Sequence, residues 1–83
     1  MLYRPNSEQD TLAHNFVRDF AMRTGADVEL ISLDSQAGAH MAELYGAMQY
    51  PTILALRSDG ELLHMWDGPR LPLIDEVASY LER

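Results

Sequence analysis

Tyr45-Gly46-Ala47-Met48-Gln49-Tyr50-Pro51-Thr52-Ile53-Leu54 decides how this 83-residue chain is read. Gly46 suits the end of a helix, and Pro51 is tolerated at the first residue of a strand but not inside one. Beyond it Thr52-Ile53-Leu54-Ala55-Leu56 and Glu61-Leu62-Leu63-His64-Met65-Trp66 flank Arg57-Ser58-Asp59-Gly60. Gly60 supplies the positive φ that a tight hairpin needs, so the two runs form antiparallel strands. Asp67-Gly68-Pro69 then breaks the second of them.

Working towards the N-terminus, Asp34 or Ser35 caps a helix in which Ala37, Met41, Leu44, Tyr45 and Met48 keep the helical period. Met41 and Met48 are read as core. Gly38 and Gly46 each weaken that helix by about 1 kcal/mol relative to Ala if interior, and Gly46 alternatively marks its end. Asp27-Val28-Glu29-Leu30-Ile31-Ser32-Leu33 reads as a strand with apolar residues on both parities, which predicts partial burial on two faces. Before it, Leu12, Ala13, Phe16, Val17, Phe20 and Ala21 share one face of the clearest helix. Asn6 or Ser7 caps this helix, Asp10 completes an approximate capping box with Ser7, and Arg23 with Gly25 stops it. Leu2-Tyr3 is a short first strand ended by Pro5. Towards the C-terminus, Pro72 fits the first turn of a last helix whose buried stripe is Ile74, Val77, Ala78 and Leu81.

The resulting order, β-α-β-α-β-β-α, with Pro51 opening the third strand, resembles the thioredoxin and glutaredoxin superfamily over essentially the whole chain. The resemblance implies an α/β domain spanning 1–83, with a four-stranded mixed sheet in the order 2-1-3-4 and helices on both faces. It also implies a cis bond before Pro51, an isomer that an X-Pro pair alone does not dictate. In that topology Asn6 and Ser7, Tyr50 and Pro51, and Trp66, Asp67 and Gly68 gather at one end, where the family has its ligand groove. These seven residues are the candidate binding groove.

Chemistry is bounded by what the chain lacks. There is no cysteine. Redox relatives carry one or two cysteines where this chain has Ser7-Glu8-Gln9-Asp10, and thiol-disulfide exchange needs a thiolate, so that activity is excluded. Glutathione binding is disfavoured because Glu8 and Asp10 repel its carboxylates, leaving Arg4 as the one nearby counter-charge. His14, His40 and His64 show no paired metal-ligand spacing, and no Gly-rich phosphate loop follows a strand. No catalytic residue, metal site or cofactor is assigned. His14 lies seven positions after Ser7, roughly 10 Å along a helix, too far to activate it as a nucleophile.

Thirteen acidic residues against six arginines give a net charge of −7, a field that repels phosphate backbones and argues against nucleic acid. No apolar run is long enough for a signal peptide or membrane span, so a cytoplasmic location is the expectation. The reading that follows is a non-redox module that binds another protein, docking an extended segment beside Tyr50 and Pro51. Two alternatives stand beside it. One is a small-ligand binder or non-thiol enzyme using Ser7 or Asn6 in the same groove; the other is a homo-oligomeric subunit.

Overall fold

The hairpin around Gly60 anchors the architecture. A computed structural model describes residues 1–68 and 70–81; the strand break expected at Pro69 lies outside the described residues. The elements are β1 (Leu2–Tyr3), α1 (Glu8–Thr24), β2 (Ile31–Ser32), α2 (Gln36–Tyr45), β3 (Thr52–Leu56), β4 (Leu62–Asp67) and α3 (Ile74–Ala78). Gly60 has φ 91°, and its amide closes the turn onto the Arg57 carbonyl at 2.8 Å. The strands form one mixed sheet in the order β2-β1-β3-β4. β1 runs parallel to β2 and antiparallel to β3, and β3 runs antiparallel to β4.

α1 is the helix that the periodicity predicts. Ser7 is its N-cap, with Oγ accepting from the Gln9 amide at 3.2 Å, and Gly25 ends it at φ 74°. The capping box takes a shifted form: Asp10 Oδ2 accepts from the Asn6 amide at 3.0 Å, one residue before the cap. Asn6 itself has φ 60°, a left-handed conformation that Asn tolerates better than most residues. Ala13, Phe16 and Phe20 are buried, and the two phenyl rings stack with centroids 5.9 Å apart. Together with Met1, Ile53 and Val77 they form the core, on which Trp66, Ile74 and Ala78 also pack. Leu12, expected on this face, is half exposed because it lies at the margin of the stripe.

Several expectations are corrected. The strand read over residues 27–33 is limited to Ile31–Ser32, because β1 contributes two residues and the pairing ends where the Met1 amine donates to the Glu29 carbonyl. α2 is capped by Ser35 and ended by Gly46 at φ 70°. Gly38 is not a weak point in α2: it is buried where the helix meets the Ser32 carbonyl, with no room for a Cβ. Ala37 and Leu44 are exposed, and Met48 lies past the helix end at 82% exposure, so Met48 does not fill core. The physical reason is that α2 rests on β2 and reaches the hairpin through Tyr45 Oη, which donates to the Gly60 carbonyl at 2.8 Å, leaving its far side uncovered. α3 has five residues, begins after Pro72, and ends before Leu81, which is half exposed.

Candidate functional site

The candidate groove assembles at the end of the sheet where β1 stops and β3 starts. The Tyr50–Pro51 peptide is cis, and Pro51 and Thr52 are fully buried. Thr52 satisfies its hydroxyl on the Gln49 carbonyl at 2.5 Å and stands in register with Leu2 on one side and Asp67 on the other. Tyr50 is half-buried; its hydroxyl donates to the Ala47 carbonyl at 3.1 Å, which ties down the turn leaving α2. The Arg4 guanidinium lies over the Tyr50 ring, 5.3 Å from its centroid, a cation–π contact that links the end of β1 to the start of β3. Gly68, at φ 126°, closes the other margin, where a Cβ would sit 3.2 Å from Gln49 Oε1.

Ser7 joins this group through the backbone of Arg4. Its Oγ donates to the Arg4 carbonyl at 2.7 Å while accepting from Gln9, so the hydroxyl is occupied as donor and acceptor in holding the helix start. His14 belongs to another set: its Nδ1 lies 2.7 Å from Asp10 Oδ1, and its ring meets Tyr3 edge-on at 5.5 Å. Ser7 and His14 are thus held by different partners, and the pairing that a serine nucleophile requires is not built. One loose end remains in the first turn of α1, where Gln9 Oε1 is buried without a hydrogen-bond partner among the described residues.

Trp66 sits one position before Asp67 in β4, opposite Ile53, and its ring faces a different neighbourhood. His64 lies 4.4 Å from it and Tyr80 5.3 Å, the latter nearly perpendicular, so Trp66 joins an aromatic group between β4 and the turn that follows α3. Tyr50 is engaged with Arg4 and Ala47. Of the seven groove residues, Ser7 and Tyr50 are linked through Arg4, Asp67 stands in register with Thr52 next to Pro51, Gly68 lies beside Gln49, and the Asn6 amide donates to Asp10, whereas the ring of Trp66 meets His64 and Tyr80. Sequence reasoning named Arg4 as a counter-charge for a ligand; its stacking on Tyr50 was not read. The shared parity of His64 and Trp66 was legible, but the third ring depends on where the turn after α3 carries Tyr80.

A concavity not foreseen from sequence lies away from the Pro51 end. It has a volume of about 350 Å³ and lies at the opposite end of the sheet, between residues 27–29 and the second half of β3. Phe20, Val77 and Met41 are among its apolar lining. The Met1 amine lies beside it, donating to the Glu29 carbonyl at 2.7 Å. Burial lowers that amine from 8.0 to about 6, the Glu29 carboxylate pulling weakly the other way. The groove expectation and this cavity therefore fall at different places.

Among the described residues no three His, Asp or Glu side chains converge as a metal site, and no helix is long and apolar enough to cross a membrane. No protein-family model, curated protein or solved structure matches the chain.

Proposed function

We propose that this is a thioredoxin-like domain without redox chemistry, α1 and α3 covering one face of the sheet and α2 the other, which binds another protein at the Tyr50–Pro51 end. The observation that carries the reading is the sheet order β2-β1-β3-β4 with Tyr50 and Pro51 at the head of β3, beside the capped start of α1. Contact between α1 and α3, and between α2 and β2, supports the arrangement of the helices. Protein binding is favoured over catalysis because the Ser7 hydroxyl is committed to capping and the chain contains no thiol. An extended partner segment would add its backbone at Tyr50, with Arg4, Gln49 and Asp67 supplying polar contacts at the rim.

The test is amide chemical-shift mapping with the first protein recovered by affinity capture. Perturbations centred on residues 4–7, 49–52 and 67–68 are expected. A map confined to the opposite end of the sheet, with these residues unmoved, rejects the groove.

A further inference from the structure

Independently of the Pro51 end, the outer strand of the sheet and the last helix hold a cluster of rings that the groove does not use. β4 lies at the rim of the sheet beside β3, and His64 and Trp66, two positions apart, share one of its faces. Both rings meet Tyr80. The three centroids stand 4.4, 5.3 and 5.4 Å apart, with planes inclined by 49°, 80° and 32°. Past Ala78 the chain continues in a tighter turn, the Tyr80 amide donating to the Val77 carbonyl at 3.1 Å and the Ser79 hydroxyl to the Glu76 carbonyl at 2.7 Å. Glu76, Ser79 and Tyr80 therefore stay on one side. With His64 and Trp66 they line a concavity of about 210 Å³.

The lining selects the ligand. Three of its five residues are aromatic rings and one is a carboxylate, Glu76, which forms no ion pair among the described residues. The net charge of −7 adds to the attraction for a cation. A cation is drawn to the face of an aromatic ring within about 6 Å of its centroid, most strongly to that of tryptophan. Because the three centroids lie within 5.4 Å of one another, one cation in the concavity reaches more than one ring. The rings touch, so the ligand rests on the cluster and not between its members. A bare ammonium is poorly served there, since its N–H groups need acceptors and the Ser79 hydroxyl is already engaged with Glu76. A quaternary ammonium has no N–H to satisfy and lays methyl groups on the rings.

We propose that this concavity is a binding site for a quaternary ammonium group, with methyls against Trp66, His64 and Tyr80 and the charge facing Glu76. Trp66, which stands apart from the Pro51 groove, is its centre. A choline-like small molecule and a trimethylated lysine side chain share this chemistry, and the arms of the experiment distinguish them.

Trp66 is the only tryptophan of the chain, so its fluorescence reads the site directly. The 83-residue chain is titrated at mildly alkaline pH with choline and with acetyl-trimethyllysine-amide, sodium chloride holding the ionic strength constant. A saturable change in Trp66 emission is expected, with shifts of the Trp66 indole N–H and the His64 ring and none at residues 49–52. The neutral tert-butyl isostere of choline and unmethylated acetyl-lysine-amide bind at least about tenfold more weakly. Glu76 and His64 are exposed, so Glu76→Gln and His64→Ala keep the wild-type circular dichroism, and each weakens the quaternary ammonium about fivefold. Tighter binding of choline assigns the site to a small molecule, and tighter binding of trimethyllysine to a methylated protein; both support the site. Equal binding of the neutral isostere overturns the cation assignment. The site itself is overturned if neither quaternary ammonium changes the Trp66 emission, or if the shifts fall on residues 49–52 alone.

Discussion

Gly38 presses against the carbonyl oxygen of Ser32, closer than any side chain at position 38 would allow. The obstacle is backbone, anchored by Ser35, whose amide and hydroxyl both donate to that same oxygen. Alanine at position 38 would gain about 1 kcal/mol in helix propensity and lose more by forcing α2 away from β2. The expectation for Gly38→Ala is a net loss of about 2 kcal/mol in urea unfolding. Gly46→Ala is the contrast: nothing lies within 4 Å of its Cβ position, and the cost, about 1 kcal/mol, comes from φ 70° alone.

Ser7→Ala separates capping from chemistry. It removes one acceptor for the Gln9 amide and one donor to the Arg4 carbonyl, and should cost about 1 kcal/mol in stability. Binding of a partner at the Tyr50 end should persist. Loss of a ligand-dependent signal with stability unchanged would give Ser7 the role of a site residue.

The Arg4–Tyr50 contact predicts coupling between β1 and β3. A double-mutant cycle of Arg4→Gln and Tyr50→Leu should return about 0.5–1 kcal/mol, the scale of a cation–π pair near the surface. A coupling of zero would show that the guanidinium only rests there.

For a chain beginning at Met1, stability should depend on pH between about 6 and 8. The folded amine is lowered to about 6 and the unfolded one has its ordinary 8.0, so between those values the unfolded chain binds more protons. The stabilisation is complete above pH 8 and is lost as pH falls towards 6, up to about 2–3 kcal/mol over the two-unit shift. Urea unfolding of the free and N-acetylated chains checks this. Acetylation keeps an N–H for the Glu29 carbonyl but removes the titrating charge, so the slope assigned to Met1 should vanish.

How much of this was legible beforehand varies with the kind of information needed. α1 was readable because a long apolar period, a cap and Gly25 all act within one segment. The β3–β4 hairpin was readable because Gly60 sets the turn locally. Residues 27–30 were misread as paired strand because pairing belongs to the neighbour: their alternation is real, but the contact with the N-terminal segment stops at the Glu29 carbonyl. Gly38 looked like a helix defect because its reason lies on another element, at Ser32. The groove residues were brought to one end by topology, which strand order alone predicts. Trp66 departs from them because its ring meets Tyr80, in the turn after α3, whose five-residue helix gave little periodicity to read.

The account stands most directly on where a protein partner binds. The deciding measurement is the affinity of a captured partner for two folded variants, Gln49→Arg with Asp67→Arg at the Pro51 end, and Leu56→Arg beside the far cavity. All three positions are exposed, so each variant should keep the wild-type circular dichroism. The account predicts a loss of at least about tenfold in affinity, roughly 1.4 kcal/mol, for the first variant and less than twofold for the second. Unchanged binding by the first variant, with the loss confined to Leu56→Arg, would contradict it.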